Sequence, residues 1–229
     1  MRWFLTIIIF LLVNPIVRGE EELVFFVREG DTTRSLTANY LIRPTAWERV
    51  VQYNYILKPG NLIRVPGDLV RREGRAFLEF ASGEVSCLPA GSREWLPAVP
   101  GLILRDGDRV RIGLEGGAVL RTGREDRTVL RPATEVAYEP SRGFFSGRTN
   151  RVTVAEGTVF ASTRKQAGRE ARFVIRTPEA ELELTGTEVR IGVTPGDGSR
   201  FEVLEGEVAI STSSGKRLVP EGTGLRLEK

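Results

Sequence analysis

The stretch Arg151–Thr163, RVTVAEGTVFAST, returns 49 residues later as Arg200–Thr212, RFEVLEGEVAIST. Both copies fit the frame R-x-x-V-x-E-G-x-V-x-x-S-T. Val154 and Val203 lead into a Glu-Gly pair, and Val159 and Val208 lead out of it. The frame predicts two equivalent hairpins stacked on one another, turning at Glu156-Gly157 and Glu205-Gly206. The same period of two extends in both directions. Phe173, Ile175 and Thr177 lead to Pro178, Leu182 and Leu184 alternate with Glu181 and Glu183, and Val189, Ile191 and Val193 follow. Upstream, Val110, Ile112 and Leu114 alternate before the turn Glu115-Gly116-Gly117, and Gly196-Asp197-Gly198 reads as a hairpin turn. No helical period interrupts the chain after Arg75. Residues 75–229 therefore read as an all-β sandwich or roll, with a short β-solenoid as the alternative.

The chain before this body is patterned differently. Leu23-Val24-Phe25-Phe26-Val27 is a strand-like run broken at Gly30-Asp31. Asp31 is a candidate N-cap for a helix starting near Thr32, and Leu36, Tyr40 and Leu41 share one helical face. Thr45 and Glu48 form a capping-box pattern ahead of Trp47, Val50 and Val51. Pro59-Gly60 turns the chain into Leu62-Ile63-Arg64-Val65-Pro66. The order is βααβ within residues 20–70, and the polar, glycine-bounded segment Gly67–Gly74 reads as a linker. Ahead of it, Trp3–Val13 is apolar apart from Thr6. That is the length of a signal-peptide core and too short to span a bilayer, which takes about 20 residues. Residues 1–19 are expected to be a signal peptide cut after Gly19, so the protein is expected in the periplasm or cell envelope. It would touch the membrane only if that segment stayed attached.

Composition removes several chemistries. The full chain is +3, and without Arg2 and Arg18 it holds 31 basic against 30 acidic residues, which is no concentrated basic surface for nucleic acid. With no histidine, Ser-His-Asp and Cys-His machinery is impossible, and the commonest metal ligand is missing. The single Cys87 is expected to be buried and inert. Glu179, Glu181 and Glu183 alternate with Ala180, Leu182 and Leu184, which puts them on the wet face of a strand rather than across a substrate. No phosphate loop or calcium loop is present, and no cofactor or metal is expected.

Two resemblances follow from particular residues. Phe26-Val27-Arg28-Glu29-Gly30-Asp31-Thr32, then Trp47, Asn54 and Pro59-Gly60-Asn61-Leu62-Ile63-Arg64-Val65-Pro66, resemble the LysM family. That resemblance implies binding of peptidoglycan or another N-acetylglucosamine glycan between two loops, here Gly30, Asp31 and Thr32 with Asn54, Tyr55, Ile56 and Leu57. The Asn54–Gly60 segment is shorter than that family usually has. Phe173–Ala180, Thr185-Gly186-Thr187-Glu188-Val189-Arg190-Ile191, Phe201–Val208 and Leu104–Val110 resemble the FecR family over residues 75–229. This implies a periplasmic β domain used for protein contact or structure. With only Met1 and Arg2 ahead of the apolar segment, the family's cytoplasmic regulatory part is not expected here.

The leading expectation is thus a non-catalytic envelope protein. Its LysM-like module would hold peptidoglycan, and its FecR-like body would face another envelope protein. The alternative is a periplasmic signalling or assembly partner whose two modules contact proteins and whose sugar binding is lost. A glycan-cleaving enzyme is the remote third reading.

Overall fold

The computed structural model describes residues 22–51, 57–71, 75–123, 126–143, 147–164 and 171–229. The expected signal segment lies outside them. No helix among the described residues is long and apolar enough to cross a membrane.

The chain begins with β1 (Glu22–Phe26), α1 (Thr33–Tyr40), a 3-10 turn at Pro44–Ala46, α2 (Trp47–Val51) and β2 (Leu62–Pro66). β1 and β2 pair antiparallel, from Glu22 opposite Pro66 to Phe26 opposite Leu62. The helices supply Leu36, Tyr40 and Val50 to a small core shared with Leu23, Phe25, Ile63 and Val65. The cap of α1 differs from expectation. Thr32, not Asp31, accepts the Ser35 amide (3.1 Å), and Ser35 Oγ accepts the Thr32 amide in return (3.0 Å). Asp31 is occupied elsewhere, as described below.

The body runs β3 (Ala76–Ser82), β4 (Val85–Leu88), β5 (Leu96–Pro97), β6 (Ile103–Leu104), β7 (Arg109–Ile112), β8 (Gly117–Thr122) and β9 (Asp126–Leu130). Next come β10 (Thr134–Tyr138), β11 (Ser141–Gly143), the long β12 (Gly147–Ser162), β13 (Ala171–Arg176), β14 (Ala180–Leu184) and β15 (Glu188–Thr194). β16 (Gly198–Glu205), β17 (Glu207–Thr212), β18 (Gly215–Pro220) and β19 (Gly224–Glu228) complete it. The ladders form two faces of one curled sheet. The front face runs β6-β3-β8-β9-β12-β15-β16-β19. The back face runs β5-β4-β7-β10-β12-β13-β14-β17-β18. Among these ladders β12–β13 alone is parallel. The body is therefore an antiparallel roll, not a solenoid of parallel coils. Residues of period two from both faces fill one core, from Leu78 and Cys87 through Val154 and Phe173 to Phe201 and Ile210. The fully buried Cys87 and the hairpin turn at 196–198 match the sequence reading.

The internal repeat has a different meaning from the expected hairpins. β12 pairs with β10 and β13 on the back face up to Glu156, and with β9 and β15 on the front face from Gly157 onward. The second copy repeats this: β16 lies in front, β17 behind, and Gly206 stands between them. Each Glu-Gly pair is a corner at which a strand changes face, not a turn that reverses it. Gly157 has φ +93, and a Cβ there would lie 2.4 Å from Thr134 Oγ1 and 2.5 Å from the Ala133 carbonyl. Only glycine fits.

The N-terminal unit is not a free module. β1 alternates between two cores: Leu23, Phe25 and Val27 enter the small one, Val24 and Phe26 the large one. Val24 donates its amide to the Gly101 carbonyl (2.9 Å) and bridges to Leu102. Phe77 of β3 and Ile103 of β6 point the other way, into the small core. The absence of polar alternation in LVFFV now has its cause: both faces of that strand are buried. The first half of the segment read as a linker is packed too. Gly67–Leu69 is a 3-10 turn with Gly67 and Leu69 buried, and Val70 bridges to Leu41.

Candidate functional site

The sequence-predicted glycan loops meet at one end of the β1–β2 pair. Val27 donates to the Asn61 carbonyl (2.8 Å) and accepts from the Gly60 amide (2.9 Å), so Arg28–Thr32 and Leu57–Gly60 leave the ladder side by side. Gly30 and Thr32 are exposed there, and Thr32 is engaged as the cap of α1. Leu57 is half-buried against the small core. Asn54, Tyr55 and Ile56 lie outside the described residues.

Asp31 faces the body. Arg105, just after β6, forks onto its carboxylate at 2.6 and 2.9 Å. Arg28 in turn pairs with Asp108, and its other terminal nitrogen reaches the Asp106 carbonyl at 3.3 Å. The two segments are copies of one four-residue device, Arg28-Glu29-Gly30-Asp31 and Arg105-Asp106-Gly107-Asp108. In each, the Arg amide donates to the Asp carboxylate three residues on (2.8 and 2.7 Å), and the Asp amide donates back to the Arg carbonyl (3.1 and 3.0 Å). Each third-position glycine takes positive φ, +81 and +77. The Arg of each R-x-G-D turn thus grips the Asp of the other. The carboxylates retain only 7% and 5% side-chain exposure. Forked, charge-assisted bonds of this kind fix orientation as well as contributing energy.

The surroundings complete this lock. Tyr40 stacks on Phe25 with ring centroids 5.1 Å apart, and the Arg75 and Arg105 guanidinium carbons lie 4.5 and 5.5 Å from its ring centre. Burial pushes the Asp31 carboxyl up, but the Arg105 bond, the Arg28 amide and both guanidinium charges outweigh it, so the carboxyl sits below its ordinary range. Asp108 goes the other way. Burial prevails over Arg28 and the Arg105 and Ala90 amides and holds it above its usual range. A raised carboxyl is the usual mark of a general acid, but this one is enclosed by its own donors, the Arg105 and Ala90 amides and the Arg28 guanidinium. Burial likewise pushes the Cys87 thiol far up, which leaves it without nucleophilic character. Among the described residues no three acidic or Cys side chains gather in a way that could hold a metal. Glu181 and Glu183 are spent on Arg176, Arg151 and Arg172 along the wet face, as their alternation predicts.

Sequence reasoning placed Gly30-Asp31 in one resemblance and Gly107-Asp108 in another and missed that they face each other. The signal was present, since R-x-G-D occurs at both places.

Comparison with known proteins bears on the body. Residues 105–209 match the family described as FecR protein, a narrower span than the 75–229 expected. No match to a LysM family supports the N-terminal resemblance. No curated protein matches the chain. Two crystal structures of a putative anti-sigma factor from Parabacteroides distasonis are similar at 15% and 14% identity, with TM-scores of 0.44 and 0.45. In each case the match covers 52% of this chain and 54% of the other, so it spans about half of either protein.

Proposed function

We propose that this is an exported, non-catalytic protein of the bacterial cell envelope that acts as a protein-contact unit in signalling or assembly. The FecR match over residues 105–209 supports the class, since that family is regulatory rather than enzymatic. The observation that carries the reading furthest is the reciprocal R-x-G-D lock. It turns the charged group of the predicted sugar loop inward, to hold the N-terminal unit on the body. A loop whose carboxylate is committed to a forked internal pair has less to offer a ligand. The N-terminal unit then serves as a fixed part of one presented surface. Photo-crosslinking in intact cells from positions on the outer front face, with and without enzymatic digestion of the wall, tests this. A discrete protein adduct that survives digestion is expected. Adducts that vanish with the wall would overturn it.

A second reading, a LysM-like unit that tethers the chain to peptidoglycan, draws on one observation. The Gly30–Thr32 and Leu57–Gly60 segments leave the same end of the β1–β2 ladder, as a two-loop groove requires. Co-sedimentation of the full chain with purified peptidoglycan tests that reading, and a chain that stays in the supernatant removes it.

A further inference from the structure

β15 carries a glycine that the fold does not require. Gly192 lies inside the strand between Ile191 and Val193, where glycine weakens pairing and a β-branched residue would be preferred. The glycines of the strands around it have structural reasons. A Cβ would lie 2.5 Å from a carbonyl oxygen at Gly157, 2.1 Å at Gly198 and 2.9 Å at Gly224. At Gly192 it would meet only Thr158 Oγ1, at an ordinary 3.9 Å, and φ there is outside the left-handed region. The register is also regular, with Gly192 opposite Thr158 of β12 and Arg200 of β16. A strand glycine with no bulge, bend or backbone neighbour to explain it marks a close approach by something outside the chain.

The missing side chain opens a depression of about 260 Å³ on the outer front face, lined by Gly192 with Arg190, Arg200, Arg226, Asp197 and Glu202. Arg190 pairs with Glu202 (3.3 Å) and Arg226 with Asp197 (2.9 Å). Arg200 has no ion-pair partner among the described residues, and the register sets it directly opposite Arg226. Like charges in that position repel, so the sheet keeps a cation pair that weakens it. Glu228, one row further on opposite Gly198, belongs to the next hollow at the end of the roll and pairs with neither arginine.

We propose that Arg200 and Arg226 clamp the carboxylate of one acidic side chain from a protein partner, with the stem of that side chain lying over Gly192. The occupant rests on the protein-contact reading above; the site rests on the residues alone. Three arginines against two acids leave one positive charge in the depression, which one carboxylate balances. A phosphate group, closer to doubly charged, would be repelled by Asp197 and Glu202. A sugar acid fits less well, because its ring packs best on a bare aromatic face and the Phe160 ring already has the Arg190 guanidinium over it (5.6 Å). The Arg226–Asp197 pair is exposed on both sides and therefore weak, so Arg226 is free to share a second carboxylate.

Titration of the full chain with the end-blocked tripeptide Gly-Glu-Gly, followed through the Nε resonances of labelled arginine, tests this. The Arg200 and Arg226 signals should move together and saturate. The Gly-Gln-Gly counterpart should bind about tenfold more weakly, as loss of a charge-assisted bond implies. Arg200→Gln should weaken binding of the glutamate peptide by a similar factor. Gly192→Val should do so too by filling the depression, while its urea midpoint stays at or above that of the parent, since both φ and space admit the side chain. Arg176→Gln, on the back face, should leave the titration unchanged. A titration without saturable shifts at Arg200 and Arg226, equal binding of the two peptides, or parent-like binding by Gly192→Val overturns the clamp. Tighter binding of glucuronate or inorganic phosphate overturns it as well, by assigning the site to that anion. None of these outcomes turns on crosslinking in cells, so the clamp and the protein-contact reading fail separately.

Discussion

Arg105 and Asp31 are 74 residues apart in sequence, yet each completes a turn that the other's segment began. Truncating Arg105 to Ala leaves Asp31 shielded and half-satisfied, which should cost about 2 kcal/mol, toward the lower end for a broken ion pair because the site lies near the surface. A urea titration of R105A, D31N and the double variant checks it. A double-variant loss equal to the sum of the single losses would mean that the pair does not couple. The two carboxylates also give opposite pH dependences. Asp31 sits below its ordinary 3.8 in the folded chain, so its contribution is complete above that value and disappears as pH falls through the folded value. Asp108 sits above 3.8, so its contribution is greatest below that value and declines as pH rises through the folded value. D31N should therefore remove part of the acid-side loss of unfolding free energy, and D108N part of the decline above it. Parallel pH curves for parent and variants would contradict both. At this scale the sequence was readable for chemistry and not for pairing. The lone Cys87 and the alternating Glu181 and Glu183 each declared their places, one in the core and two on the wet face. The reciprocal grip could not be read, because spacing along the chain carries no information on which turns meet in space.

Among the elements, the repeated corner gives an ordered prediction. A Cβ at Gly157 runs into backbone and a Thr hydroxyl at 2.4–2.5 Å, while one at Gly206 meets the Gly186 carbonyl at 3.0 Å and the flexible Thr187 methyl at 3.1 Å. Both glycines have positive φ, so G157A should cost about 2–4 kcal/mol and G206A about 1–2 kcal/mol. Chemical denaturation of the two variants checks the order, and equal losses would refute the steric account. The strands themselves were legible, because Val189-x-Ile191-x-Val193 and its neighbours alternate cleanly between core and water. The corners were not. A Glu-Gly pair between two apolar alternations looks the same whether the chain reverses or crosses between faces. The choice is made by partners, here β9 and β10 on either side of β12. LVFFV was equally ambiguous: an unbroken apolar run announces a strand buried on both faces without saying against what.

For the molecule as a whole, β1 belongs to two cores at once, so the N-terminal unit and the body should unfold together. Calorimetry of residues 20–229 should give one transition, with van't Hoff and calorimetric enthalpies in agreement. Val24→Asp, which places a charge between the cores, should lower the midpoint of that same transition. A separate early transition for the N-terminal unit would refute the coupling. The body alone, without residues 20–70, should aggregate, since Phe77 and Ile103 lose their cover. The mainly β class and the general order of a small mixed unit before a β roll could be read from the sequence. The docking of one on the other could not, because Phe77 and Ile103 look like ordinary strand residues until something lies against them.

On both faces of the roll the strands stand side by side in nearly the order in which they occur along the chain. A polypeptide threaded outward from its amino end would therefore find the neighbour for each new segment already in position, and growth would proceed from one end, course upon course. Late segments wait for early ones and never the reverse. A molecule shortened from its carboxyl end would stop as a smaller roll with a fresh edge, whereas damage near the start would leave everything laid after it without a footing.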